Sequence, residues 1–150
     1  MPEFRDNTPG KLDALNNWLG DVYGEETSFA TLLIDGGFSA LEIEYIKQDH
    51  LSEFLQMVLD LMAEYTDDRF SEGRNRGTMQ LMMQCYGLID GKPQDRYAIG
   101  QSVGVCGERI RQLVNQRMSL YHEPTRQAKF HDEFIAIGQR LLDNEKSSQE

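Results

Sequence analysis

The stretch from Ala98 to Gln112, AIGQSVGVCGERIRQ, decides the predicted fold of this chain. It predicts two short helices joined by a tight turn, because an apolar face begins at its start and Gly104 stands where the chain must turn sharply. Glycine makes such turns without steric cost. We expect Val105 to follow the turn as a small apolar plug. The next segment, Glu108–Gln112, sets one apolar residue among charged and amide groups, which suits a helix lying in a DNA major groove.

Outside this stretch the apolar residues also recur at helical spacing. Thr8-Pro9 is typical of a helix start and Gly24 of a helix end, and Ser39 with Glu42 forms a capping box. Because no convincing set of strands is found, the chain is predicted to be all-α. The predicted helices span residues 8–23, Ser28–Ile34, Ala40–Gln48, a longer helix from Asp49 or Ser52 to Tyr65, Arg76–Tyr86, Asp95–Ser102, Gly107–Leu120 and Thr125–Leu142.

Composition divides the chain into an acidic helical part over residues 1–70, a helix-turn-helix domain with one C-terminal helix over 76–142, and a polar tail over 143–150 that we expect to be disordered. The polar segment Thr66–Asn75 is the predicted linker. The methionines near residue 80 are interpreted as core residues rather than a partner surface. The apolar residues expected to be buried are Leu12, Leu15, Trp18, Leu19, Val22, Phe54, Leu55, Val58, Leu59, Met62, Tyr65, Met79, Met82, Met83, Tyr86, Ile99, Val103, Val105, Ile110, Leu113, Phe130, Phe134, Ile137 and Leu141.

Charge is distributed unevenly along the 150 residues. The net charge is −10, which by itself argues against nucleic-acid binding. Residues 1–75 hold 5 basic and 16 acidic residues, a net of −11, and residues 131–150 hold 2 and 5, a net of −3. Residues 76–130 hold 8 basic and 4 acidic residues, a net of +4. The basic segment is therefore the one that carries the helix-turn-helix pattern.

The second helix of the pattern has a polar outer side. With Ile110 placed inward and about 100° per residue, Leu113 and Val114 fall near it. Amides and a carboxylate on the opposite side can pair with base edges, while flanking arginines suit phosphates. A solvated face of an all-helical protein is the alternative interpretation. The outward residues are Glu108, Gln112, Asn115 and Ser119, flanked by Arg109, Arg111 and Gln116.

From Arg76 to Pro124 the chain resembles the C-terminal, −35-element-binding domain (region 4) of bacterial sigma factors. Tyr86-Gly87-Leu88, Asp90-Gly91 and Pro93 resemble the loop before that family's helix-turn-helix. Ile99-Gly100 and Val103-Gly104-Val105 resemble its first helix and turn, and Glu108-Arg109-Ile110-Arg111-Gln112 resembles the core of its recognition helix. The resemblance implies promoter DNA and the flap of RNA polymerase as partners.

Three features depart from the family's pattern. Gly107 stands where the family usually has an arginine that reaches a base or a phosphate. Cys106 replaces the usual Ser or Thr cap and is a weaker cap. The segment Gln116–His122 is less basic than its counterpart in the family. Because phosphate contacts dominate affinity, we expect weak DNA binding from this domain alone. The candidate DNA-binding residues are Gly107, Glu108, Arg109, Arg111, Gln112, Asn115 and Gln116.

Other chemistry lacks a sequence signal. His50, His122 and His131 have no metal-ligand spacing, and Cys85 and Cys106 are interpreted as reduced thiols. No phosphate loop, GxSxG or nucleophile-base pair is recognisable. We therefore do not expect this protein to be an enzyme, to bind a cofactor or to take a small-molecule substrate. The chain shows no apolar run of membrane-spanning length and no signal peptide, which makes a cytoplasmic protein the default expectation.

The favoured function is a transcription factor or regulator that contacts promoter DNA, RNA polymerase, or both. No promoter-melting region is recognised, so the chain is not expected to initiate transcription alone. The alternative is a protein-interaction module that keeps the sigma-like fold and has lost DNA binding, for example an anti-sigma-like protein, a DNA mimic or a polymerase-binding adaptor. Gly107 and the acidic segment 1–75 favour this alternative, because that segment could mask the basic face.

Overall fold

The computed structural model describes residues 7–64 and 78–148 and places eight α-helices and no strand in them, which confirms the all-α fold class. The helices are α1 Thr8–Tyr23, α2 Phe29–Asp35, α3 Ala40–Asp49, α4 Leu51–Glu64, α5 Thr78–Tyr86, α6 Arg96–Val103, α7 Gly107–Tyr121 and α8 Pro124–Ser148. Within these ranges no helix is both long and apolar enough to cross a membrane. The predicted linker Thr66–Asn75 and the predicted core residue Tyr65 lie outside the described residues.

The first three helices begin at side-chain caps. The Asn7 side chain accepts a hydrogen bond from the Gly10 N–H at the start of α1, where Pro9 occupies the first turn. The predicted capping box of α3 is confirmed: the Glu42 N–H donates to Ser39 Oγ at 3.1 Å, and the Ser39 N–H donates to Glu42 Oε1 at 2.9 Å. Such boxes satisfy backbone donors that a helix leaves unpaired and so fix where it begins.

Trp18 on α1 lies at the centre of the core. Its ring centroid is 4.9 Å from that of Tyr121 on α7 and 5.2 Å from that of Phe130 on α8, and its indole N–H donates to Met82 Sδ on α5 at 3.4 Å. The Tyr121 hydroxyl donates in turn to the Met62 carbonyl on α4. Five helices therefore meet at this indole and its neighbours, so residues from both halves of the chain share one hydrophobic cluster.

A second aromatic group extends the core towards α2. Phe29 and Phe54 lie 5.0 Å apart between ring centroids, and Phe54 lies 5.0 Å from Phe134. Met79, Met82 and Met83 are buried, which confirms the prediction that they are core residues. Most other predicted core residues are also buried, while Leu12, Leu59 and Tyr86 are half-buried.

Two core predictions are wrong: Val103 is 56% exposed and Val105 is 40% exposed. Leu113, like Leu12, Leu59 and Tyr86, is half-buried. The turn packs on α6 through its backbone instead: a Cβ on Gly100 would lie 2.5 Å from the Val105 carbonyl oxygen, and the Val105 N–H donates to the Gly100 carbonyl at 2.9 Å. Because this close contact uses the main chain of residue 105, its side chain is left outside and is not a plug.

The expectation of disorder is wrong for residues 143–148, the described part of the predicted tail, since α8 continues to Ser148. Leu141 and Leu142 are both buried and hold the helix against the core. No glycine or proline follows them before the helix end, so nothing in the sequence stops the helix there.

We predict that Ile110→Asp lowers the free energy of unfolding by several kcal/mol. Ile110 is fully buried, so the substitution would place a carboxylate in the hydrophobic core. Urea unfolding followed by circular dichroism measures the change. Val103→Asp is the matched control, because its exposed position should limit the change to about 1 kcal/mol. Similar losses in the two variants would contradict the assignment of Ile110 as the inward residue of α7.

Candidate functional site

Helices α6 and α7 are the two helices that the sequence pattern predicts here, and they pack against each other across the turn at residues 104–106. Asp95 caps α6, with its Oδ2 accepting from the Tyr97 N–H at 3.1 Å and the Ala98 N–H at 3.2 Å. The helix ends at Gly104, whose φ of +82° is the left-handed conformation that favours glycine. Cys106 is the N-cap of α7 and makes no side-chain capping bond. The prediction of a sharp turn at Gly104 is confirmed.

One side of α7 is buried and the other is exposed. The inward side chains pack against the core and α6, and they include Arg117, a charged residue that the sequence pattern did not mark as buried. Of the seven candidate residues, six share the exposed side, and Gly107 does not. The exposed six are Glu108, Arg109, Arg111, Gln112, Asn115 and Gln116, joined by Ser119.

Gly107 is buried beneath the ring of Tyr97. A Cβ built on Gly107 would lie 2.4 Å from Tyr97 Cδ1 and 2.6 Å from Cε1, closer than real carbon atoms approach. The ring therefore occupies the space that a side chain at position 107 would need. Tyr97 itself is 59% exposed, and the Arg96 guanidinium lies 5.5 Å from its ring centroid.

Tyr97 is a surface feature that the sequence reasoning missed. The available signal was a glycine in the first turn of a predicted surface helix, where glycine is unfavourable unless another group needs the space. The resemblance to sigma region 4 indicates only that an arginine is missing at this position, and says nothing of the group that lies in its place.

The polar groups on the exposed side of α7 are paired with one another. The Arg111 guanidinium donates to both carboxylate oxygens of Glu108, and Arg109 donates to Gln112 Oε1 at 3.4 Å. The hydrogen bond from Arg111 holds the pKa of the Glu108 carboxyl below its ordinary value, and the positive charge of Arg96 acts in the same direction. Both members of the Glu108–Arg111 pair are well exposed to solvent, so the pair is weak and its groups can exchange partners.

A cleft of about 480 Å³ opens beside this side of α7. It brings a carboxylate from the acidic N-terminal half close to arginines of the basic segment. Asp21 on α1 accepts a hydrogen bond from the Tyr86 hydroxyl on α5; burial and this bond both raise the pKa of Tyr86. The cleft lining includes Asp21, Tyr86, Arg96, Tyr97, Arg111 and Asn115.

Metal chemistry has no candidate in the part of the chain that the structure describes, where no three His, Cys, Asp or Glu side chains are grouped to hold an ion. Comparison of the chain with known protein families finds no match, and comparison with solved structures finds none either.

Proposed function

We propose that this protein is a transcription regulator that binds promoter DNA through α7, in the way that the resemblance to the −35-binding domain of sigma factors implies. The observation that carries the proposal is the exposed polar side of α7, held outward by a helix-turn-helix whose first helix packs behind it. In such motifs the second helix lies in the major groove and its exposed side chains contact bases and phosphates.

The chemistry of the exposed side supports duplex DNA as the ligand. Gln112 and Asn115 carry amides that can pair with adenine, and the Glu108 carboxylate can accept from cytosine. Arg109 and Arg111 lie beside them and can neutralise phosphates. Since the pairs among these residues are exposed and weak, phosphate can replace Glu108 as the partner of Arg111 at small cost.

RNA polymerase is the protein partner that the resemblance implies, and one observation favours a protein-interaction module as the second candidate function. Val103 and Val105 expose apolar surface at the turn, beside the DNA-facing side of the motif. Apolar side chains at a turn gain more from a protein surface than from the phosphate backbone. Capture of purified RNA polymerase by the intact chain, with and without Val103→Ser and Val105→Ser, tests this candidate separately from DNA binding.

We predict that Arg111→Ala weakens binding to all duplex sequences and lowers the slope of log affinity against log salt by about one unit, because one phosphate contact is lost. Fluorescence anisotropy over a salt titration measures both quantities. Arg140→Ala is the matched control, since Arg140 is exposed on α8 and carries the same charge. Equal effects of the two substitutions would indicate only a change in net charge and would contradict the proposed interface.

We predict that Gln112→Ala costs about 1–3 kcal/mol on a preferred duplex and little on random DNA, because an amide that pairs with a base contributes to sequence preference. The preferred duplex is first obtained by selection from a randomised pool with the intact protein. Gln139→Ala on the exposed surface of α8 provides the matched control. Loss of affinity for both DNAs to the same degree would exclude Gln112 as a base-reading residue.

The acidic segment 1–75 could mask the basic face of the motif, and this must be tested in the full chain. A fragment without α1 lacks Trp18 and leaves Tyr121 and Phe130 uncovered. We predict that Asp21→Asn strengthens DNA binding about two- to five-fold at low salt, since it removes a negative charge beside Arg96 and Arg111 while keeping an oxygen for the Tyr86 hydroxyl. Asp13→Asn, exposed on the same helix, is the control. An unchanged affinity for Asp21→Asn would show that this carboxylate does not mask the interface.

A further inference from the structure

Tyr97 occupies the space that a side chain at position 107, the first residue of α7, would need. The ring covers Gly107 so closely that residue 107 cannot carry a side chain while the ring remains in place. In helix-turn-helix proteins the N-terminal residues of the second helix contact base edges. Gly107 has nothing to offer there except backbone, so the nearest group available for a contact is the tyrosine ring above it.

We propose that Tyr97 is a specificity-determining residue of the DNA interface and that its ring recognises the methyl group of a thymine in the major groove. This inference rests on the proposed function. It adds a residue from the first helix of the motif to a reading surface otherwise made by α7.

Two contacts within the motif hold the ring in its position over Gly107. The ring atoms Cδ1 and Cε1 lie against Gly107 on the first turn of α7, and the guanidinium of the adjacent Arg96 lies 5.5 Å from the ring centroid. An aromatic side chain held in this way loses little conformational entropy on binding. The 59% of Tyr97 that stays exposed is therefore a preorganised apolar surface beside the polar side chains of α7.

Thymine is the base that such a surface distinguishes. Its C5-methyl group is the apolar feature of the major groove, and side chains without suitable polar groups recognise it by apolar contact. Arg96 and Arg111 line the same cleft as Tyr97, so their guanidinium groups can bind phosphates near the ring. Amides on α7 then read the polar base edges, and the ring reads the methyl group.

The test uses the intact protein and a duplex chosen by selection from a randomised pool. Each thymine of that duplex is replaced in turn by deoxyuridine, which removes only the methyl group. For the wild-type protein we expect one replacement to lower the affinity about four-fold, the value of one buried methyl group. Tyr97→Ala should bind the original duplex more weakly and be insensitive to that replacement, while Tyr97→Phe should keep the wild-type sensitivity.

Gly107→Ala provides a second variant that leaves Tyr97 unchanged. Its Cβ must displace the ring, which can swing into solvent because it is more than half exposed. We expect it to behave like Tyr97→Ala in the deoxyuridine scan, and loss of the nuclear Overhauser contact between the Tyr97 ring and residue 107 would confirm the displacement. Circular dichroism of each variant checks that the helices persist.

The results separate the two proposals. If the wild-type chain selects no duplex and shows no salt-dependent DNA binding, the proposed function is wrong. If it binds a selected duplex but no thymine is methyl-sensitive, or Tyr97→Ala keeps that sensitivity, the role of Tyr97 is wrong and the DNA interface stands. If Tyr97→Ala leaves DNA binding unchanged and abolishes capture of RNA polymerase, Tyr97 belongs to a protein interface and the inference is overturned.

Discussion

The packing of Trp18 against Tyr121, Phe130 and Met82 is the constraint on which the rest of the structure depends. An indole of this size buries more apolar surface than any aliphatic side chain, and here it does so between α1, α5, α7 and α8. Because Tyr121 is on α7, the helix that carries the candidate interface is held from behind by a residue of the acidic N-terminal half. The position of α7 is thus a property of the whole core and not of the helix-turn-helix alone.

This arrangement holds α7 against the core on one side and leaves its other side exposed to solvent. The inward residues of α7 contact α5, α6 and α8, and the hydroxyl of Tyr121 reaches the backbone of α4. Glycines allow the closest of these approaches: Gly100 admits the backbone of the turn, and Gly107 admits the ring of Tyr97. Both contacts bring α6 close against α7, so the exposed side chains of α7 stand on a helix that is packed from behind.

The sequence predicts those features that depend on local chemistry. The left-handed Gly104, the Ser39–Glu42 capping box and the buried periodic residues of α8 follow from rules that involve neighbours along the chain. The prediction that Val105 is buried is wrong, and the burial of Gly107 is not predicted, because the environment of both residues is made by residues one helix away in the motif. An apolar residue in a turn is expected to pack, yet the backbone of Val105 already fills the space next to Gly100. The helical spacing of α7 could not show that an aromatic ring from α6 covers its first turn.

The positions of individual charges, and not the net charge, decide whether an acidic protein can approach DNA. At physiological ionic strength exposed charges are screened over about 8 Å, so a carboxylate affects the interface only when it lies near it. Helix α3, which carries Glu42 and Glu44, packs against α2, α4 and α8. Asp21 differs, because it shares a cleft with Arg96 and Arg111. Moreover, Asp21 is tied to Tyr86 by a hydrogen bond and is held at a fixed position on α1. Asp21 therefore contributes a negative charge beside these arginines, and the total of −10 is a poor guide to the local field that a phosphate would meet there.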